Sequence, residues 1–296
     1  MLEAVALPLV KWALSEDVGS GDITTLNTLP AGIGARAVIV MKEPCVVAGL
    51  EVARLTFREV DSHLTFEPLA ADGDRVDAGV AVARVFGSAG GILTGERTAL
   101  NFLQRLTSVA TQTRRFVDAV AGTHAIILDT RKTTPGLRYL EKYAVKLGGG
   151  ENHRFALWDM YLVKDNHIRA AGGVTAAIER IQRTRQDVPL EVEVESLAQL
   201  REALRPEVDR ILVDNRPVEE VERAVEEVDQ WFAKHPPESR RMKKGARRWP
   251  EIEVSGGLSL ENVRRYAETG VDYLSVGALT HSAPAVNLSL EIEDVG

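Results

Sequence analysis

Between Asp129 and Ile168 the chain carries Arg131, Lys132, Arg138, Lys142, Lys146, Arg154 and Lys164 against Asp129, Glu141, Glu151, Asp159 and Asp165. This positive stretch lies in a protein whose formal charge is -7. Cations gathered in an acidic chain suit a small polyanion, because Arg and Lys hold phosphates and carboxylates by charge-assisted hydrogen bonds. Acids of another kind occur in Leu190–Glu195, where Glu191, Glu193 and Glu195 alternate with apolar residues and would share one strand face. Carboxylates turned into a barrel interior require cations nearby. Mg²⁺ shared with a pyrophosphate would account for Glu193 and for Asp214 at the end of the next strand candidate, directly or through water or substrate.

Two turns could hold a phosphate. Ser255-Gly256-Gly257-Leu258-Ser259 separates a strand from a helical stretch whose first turn carries Glu261-Asn262, and Gly277-Ala278-Leu279-Thr280-His281 follows the last barrel strand. Exposed N–H groups after the final strands of a barrel form a recurrent anion site, although ordinary βα turns look the same in sequence. Gly148-Gly149-Gly150 shortly precedes Asn152-His153-Arg154. Such a run lets backbone approach a ligand, but it is also a common loop. Thr133-Thr134-Pro135-Gly136 reads as a helix start with Pro in the first turn. Arg138, Lys142 and Lys146 then share one face, which a solvated surface would equally explain.

These groups need elements to position them. Six strand candidates begin at Ala125, Met160, Leu190, Arg210, Glu251 and Asp272, with helix-like segments between them. Such alternation predicts a parallel sheet of barrel type, and the polar residues Asp129–Lys132, Lys164–His167, Glu193, Asp214-Asn215, Ser255–Gly257 and Gly277–Leu279 fall at strand ends. Before them, short β-rich runs from Ala35 to Phe86 surround a helix over Glu51–Val60. A long helix from about Leu93 to Val120 carries a stripe of Leu100, Leu103, Leu106, Val109 and Ala110. The N-terminus reads as an amphipathic helix ending near Gly19, with neither a signal-peptide pattern nor a membrane span.

With 45% hydrophobic residues the chain can bury a core, and its acidic balance argues against nonspecific nucleic-acid binding. Cys45 alone excludes an internal disulfide and fits a cytoplasmic setting. Residues 229–249 break the alternation, with two prolines and six Arg/Lys between Arg240 and Arg248. They read as a solvated inserted loop, so that deleting residues 234–248 is expected to leave catalysis nearly intact.

Several blocks together resemble the quinolinate phosphoribosyltransferase family. DTRKTTPGLRYLEKYAVKLGGGENHR, KDNHI, EVEVES, SGGLSLENV and GVDYLSVGALTHS follow EDVGSGDITT (Glu16 to Thr25) and GERTALNFLQRLTSVAT (Gly95 to Thr111) in the family's order. The resemblance implies an α/β fold: an N-terminal α/β sandwich domain (1–108), an incomplete TIM-like α/β barrel (109–283), and a tail (284–296) returning to the first domain. Residues 229–250 look longer than the family usually has.

It implies transfer of phosphoribosyl from phosphoribosyl pyrophosphate to quinolinate, giving nicotinate mononucleotide, pyrophosphate and CO₂, with Mg²⁺ and no organic cofactor. Lys132, Lys164, Glu193 and Asp214 would be catalytic. Arg97, Thr130, Arg131, His153 and Arg154 would join them on substrate, and Glu193 and Asp214 would meet the ribose and the metal. Ser255, Gly256 and Gly257, with Gly277, Ala278, Leu279 and His281, would take the 5-phosphate end. A homodimer or higher homo-oligomer would place Arg97 in the neighbour's site. The alternatives are a relative of the same fold such as nicotinate phosphoribosyltransferase, a Schiff-base aldolase using Lys164 or Lys132, and a nucleotide-binding module without activity.

Overall fold

The computed structural model describes residues 2–184, 187–205, 207–235 and 247–296. The chain divides into two compact units, Met1–Arg114 with Thr133–Gly150 and Leu279–Gly296, and Arg115–Lys132 with Glu151–Ala278. In the first, Leu2–Val18 (α1) and Ile23–Thr28 (α2) precede Gly34–Met41 (β1), Cys45–Val46 (β2), Leu50–Val60 (α3) and Thr65–Pro68 (β3). Arg75–Val76 (β4), Ala81–Ser88 (β5) and Ala89–Ala119 (α4) follow. β1 puts Ala37, Ile39 and Met41 on one face at the two-residue strand period, where Phe57 of α3 and Ile92, Leu100 and Leu103 of α4 meet them. Each such side chain contributes about 1.5–3 kcal/mol on full burial. The stripe expected on the long helix is buried as a whole. α1 ends at Val18 as expected, yet it buries only Ala6 and Val10 and leaves Trp12 77% exposed.

The second unit starts from Ile126–Leu128 (β6). Arg138–Leu147 (α5) lies in the first unit, not in the barrel. Then come Tyr161–Val163 (β7), Asp165–Ala171 (α6), Val174–Gln182 (α7), Leu190–Val194 (β8), Leu197–Ala203 (α8), Arg210–Asp214 (β9) and Val218–Lys234 (α9). Glu251–Ser255 (β10), Val263–Glu268 (α10), Tyr273–Ser275 (β11) and Ala278–His281 (α11) complete the series. Among the described residues the sheet has six strands in the order β6-β11-β10-β9-β8-β7, every pair parallel. That order is a barrel opened between β6 and β7, where Glu151 bridges to Leu128. All six expected strands form. Among the described residues, no helix is long and apolar enough to cross a membrane.

Leu288–Val295 (β12) returns to the first unit and pairs antiparallel with β1, giving the sheet β12-β1-β5-β3. Gln104 of α4 donates to Val286 O (2.7 Å), and Ser108 Oγ accepts from Val286 N (2.9 Å), which anchors the tail just before that strand.

Three local expectations need correction. Thr133–Gly136 forms a turn before α5, closed by Leu137 N–H to Thr134 O and by Gly136 at φ 81°, so the helix starts at Arg138. Lys142 is not on a solvated face; it is 2% exposed. Residues 229–249 are not one solvated loop. Asp229–Lys234 continues α9, and Arg248 and Trp249 are buried, whereas residues 236–246, with most of the basic run, lie outside the described residues.

Arg248 Nη2 donates to Gly270 O (2.8 Å), and its guanidinium lies 3.3 Å from Asp229 and 3.6 Å from Asp272. Replacing a buried, paired guanidinium strands its partners, which typically costs about 3 kcal/mol. Arg248→Ala should therefore lower the urea midpoint by an amount consistent with that loss. Deletion of residues 234–248 should cost at least as much, measured by the same unfolding curves.

Candidate active site

At the C-terminal ends of the parallel strands lies a pocket of about 450 Å³. Thr130, Arg131 and Lys132 enter it after β6, Lys164 after β7, Glu193 from β8, Asp214 from β9, Glu253 and Ser255 from β10, and Ser275 from β11. His153 and Arg154 join them from the segment running beside β6. Nine residues expected to touch substrate are thus brought together. Gly256, Gly257 and Gly277 are not part of this lining, nor are Ala278, Leu279, His281 and Arg97. Arg97 is exposed on α4, and Leu279 and His281 belong to the first unit. A second hollow, about 500 Å³, opens around Gly34 in the first unit, but its Arg36 is stacked on Phe86 (5.3 Å).

Each cation is set by local bonds. Lys164 precedes α6 and its N–H donates to His167 Nδ1 (3.1 Å), which explains why the lysine and the histidine of KDNHI are three residues apart. Its Nζ donates to Glu193 Oε2. Arg154 Nη1 donates to Met160 O (3.3 Å), and Asp159 accepts from Phe155 N (2.6 Å) and Ala156 N (2.9 Å), closing the loop that follows. Burial, and then the charge of Arg131, lowers the pKa of Arg154. Arg131 Nε is buried without a hydrogen-bond partner among the described residues. Two guanidinium groups that repel each other, one with an orphaned donor, are suited to an anion with more than one oxygen pair.

Beneath the cations the barrel interior is ionic. The parallel register sets Glu191 beside Arg210 and Arg210 beside Glu251. Glu253 is fully buried: Oε2 accepts from Arg210 Nη1 (2.8 Å), Oε1 accepts from Ser275 Oγ (2.5 Å), and Oε1 lies 3.3 Å from His153 Nε2. Glu191 Oε2 is 3.0 Å from the same nitrogen. Arg210 also lies over the Tyr273 ring at 3.8 Å. Burial works against a charged His153, but Glu253 and Glu191 outweigh it and push the ring up to about 10. Burial likewise works against a charged Glu253, but His153 and Arg210 outweigh it and hold the carboxyl at about 2. Burial and the charge of Glu253 raise Glu191. The N–H of Arg154 donates to His153 Nδ1 (2.8 Å), so the ring proton of this arrangement lies on Nε2, and a second proton on Nδ1 would have to break that bond.

The turn Ser255-Gly256-Gly257 has a steric logic. Asn215, at φ 50°, donates its N–H to Ser255 O (2.8 Å). Gly256, at φ 95°, packs so close that a Cβ would stand 2.9 Å from Asn215 N. Only glycine lets this turn lie against the end of β9.

Residues 109–291 match the family description "Quinolinate phosphoribosyl transferase, C-terminal domain", and residues 22–107 match that of its N-terminal domain. The chain belongs to the quinolinate phosphoribosyl transferase family. It is 44% identical over 288 residues to the nicotinate-nucleotide pyrophosphorylase [carboxylating] of Mycobacterium leprae, covering 96% of this chain and 95% of that one. The solved nicotinate-nucleotide pyrophosphorylase of Francisella tularensis is 34% identical with a TM-score of 0.88, over 98% of this chain and 97% of that one. That of Ehrlichia chaffeensis is 36% identical with a TM-score of 0.87, over 97% and 98% respectively. The two-part α/β architecture of the family is the one described above.

For this member of the quinolinate phosphoribosyl transferase family, the strand acids require a finer reading. Glu195 lies beyond β8 and is exposed, so two acids rather than three turn inward there. Cations are indeed close by, but they are side chains: Lys164 at Glu193, and His153 and Arg210 at Glu191 and Glu253. Among the described residues, the group of three or more acids and histidines close enough to share an ion is His153, Glu191 and Glu253. That trio already surrounds its own positive groups, and an imidazole beside an arginine suits Mg²⁺ poorly. Reading LEVEV alone missed Glu253 and Arg210. The same alternation in Glu251-Ile-Glu253 was the available signal.

His153 has a testable linkage. A folded-state pKa raised from 6.5 to about 10 gives stability that is fully present below about 6.5 and lost as pH rises through about 10. The melting-temperature advantage of the native chain over His153→Gln should therefore shrink steadily across that window. A constant difference from pH 6 to pH 10 would contradict the assignment.

Proposed function

We propose that this chain transfers the phosphoribosyl group of phosphoribosyl pyrophosphate to quinolinate, releasing pyrophosphate and CO₂ and leaving nicotinate mononucleotide. The observation that carries the reading is the pairing of Arg131 and Arg154, mutually repelling beside His153, Lys132 and Lys164 in one pocket. Quinolinate brings two adjacent carboxylates, and bidentate arginine contacts answer both. Across the pocket, Glu193 and Asp214 face the ribose and tolerate the positive charge that grows on its anomeric carbon as pyrophosphate departs. Lys132 and Lys164 offset the negative charge of the leaving group. Once the pyridine nitrogen is bonded to ribose it draws electrons from the ring, and the adjacent carboxylate leaves as CO₂ without an organic cofactor. Thr130 and the turn Ser255-Gly256-Gly257, with Gly277 and Ala278, supply hydrogen bonds to the sugar phosphate.

Glu193 and Asp214 fit Mg²⁺ only as a minority of its ligands, since this ion commonly takes one or two carboxylates and fills its shell with water and substrate oxygens. Bound in that way it would neutralise the departing pyrophosphate. The same reading places the enzyme in the cytoplasm, in keeping with a single buried Cys45.

It also extends to assembly as a homodimer. Trp12, Ile23 and Leu26 on the first unit are more than two-thirds exposed, and so are Leu157 and Trp158 on the second, apolar side chains that a second copy would cover. Arg97, exposed on α4, would then act in the neighbour's pocket.

Two measurements test these readings. With carboxyl-labelled quinolinate and Mg²⁺–phosphoribosyl pyrophosphate, kcat/KM should exceed that for nicotinate by about 10⁴-fold, because a site built for a polar group rejects an analogue that lacks it. A ratio near unity would overturn quinolinate as the substrate. Mixing inactive Arg97→Ala and Lys132→Ala chains should restore part of the activity, since each mixed dimer keeps one intact site. No recovery after verified subunit exchange would exclude the shared site.

A further inference from the structure

Glu253 has no place in the roles given above, yet it sits where the ionic interior of the barrel meets the pocket. We propose that Glu253 is a positioning residue for quinolinate, holding His153 between the barrel interior and the backbone of Arg154. The inference rests on the reaction proposed above and adds a residue to its binding step.

His153 is held at three points. Its ring Nε2 faces Glu253 at 3.3 Å and Glu191 at 3.0 Å, its Nδ1 receives the Arg154 N–H at 2.8 Å, and its own N–H donates to Asp129 Oδ1 at 2.9 Å. With Nδ1 hydrogen-bonded and Nε2 set between two carboxylates, the ring cannot turn without disturbing the next residue, which is Arg154. Glu253 is itself oriented by Arg210 Nη1 at 2.8 Å and Ser275 Oγ at 2.5 Å. Arg210 is steadied in turn by the Tyr273 ring and by Glu251, 3.4 Å from Nη2. A continuous series of contacts thus runs from β9 through β10 to the pair Arg131 and Arg154. Stability alone does not explain such a network, because well-packed apolar residues commonly replace buried ion pairs at no loss. What charged contacts at fixed angles provide is direction, and a two-carboxylate ligand needs direction from its arginines.

The effect falls on one substrate. Glu253 belongs to the side of the pocket that holds His153 and Arg154, while Glu193, one of the acids proposed to face the ribose, accepts from Lys164. Glu253→Gln keeps the shape and removes the charge. It should raise KM for quinolinate by about tenfold or more, the worth of a charge-assisted bond, while KM for phosphoribosyl pyrophosphate stays within about twofold. Glu253→Asp, which keeps the charge on a shorter arm, should recover part of the loss. If both KM values rise by the same factor, or neither moves, the proposal is overturned. Should Glu253→Gln show no cooperative melting transition, Ser275→Ala serves instead: it frees one oxygen of Glu253 and should raise KM for quinolinate selectively by about threefold. An unchanged quinolinate KM in that variant also overturns the proposal. CO₂ release by the native chain is the control, because its absence refutes the reaction and not the role of Glu253.

Discussion

A carboxylate cut off from water survives as an anion only where cations are fixed around it, and in the second unit this requirement organises the site. Glu253 is fully buried, and Arg210, Ser275 and His153 are set around it by three different segments of the chain. The parallel register makes this possible, since residues two apart on β8, β9 and β10 point inward together and stack in layers. Lower layers hold Glu191, Arg210 and Glu251; upper layers hold Glu193, Asp214 and Ser255. Arg210 lies between Glu191 and Glu251, Glu193 and Glu253 share the next layer, and at the pocket Arg131, Lys132, Arg154 and Lys164 make positive groups predominate.

That excess is the chemically useful part. Positive groups kept close without enough counter-charge raise the energy of the free site, and an anionic ligand relieves it on binding. Burial, and then the charge of Arg131, lowers the pKa of Arg154 in keeping with this. Lys164 and Glu193 are paired with each other. One side of the pocket thus favours carboxylates, and the other side balances them with acids.

Much of this was legible before any coordinates. The β-α alternation located all six barrel strands, and the positive segment from Asp129 to Lys164 supplied five of the pocket's cationic or imidazole groups. What escaped depended on distance in sequence. Lys142 looked solvated because helical spacing says nothing about which unit a helix joins. Arg248 looked like one more charge in a basic run, since Asp229, Gly270 and Asp272 are separated from it by about twenty residues on either side. Glu253 was hidden by its neighbours: Glu251-Ile-Glu253-Val reads as an ordinary strand until Arg210 and His153 are placed beside it. The two family matches meet at residue 108, whereas Thr133–Gly150 groups with the first unit, which spacing along the chain does not reveal.

The pairing of β12 with β1 bears on how the polypeptide matures. Ala35 lies opposite Val295, and Gly34 exchanges backbone hydrogen bonds with Gly296, so one edge of the first sheet is supplied by a strand made long after β1. Throughout synthesis β1 carries an open row of backbone donors and acceptors, the kind of edge that recruits stray strands. That edge stays open until β12 has been made, and β1 gains its second neighbour only then.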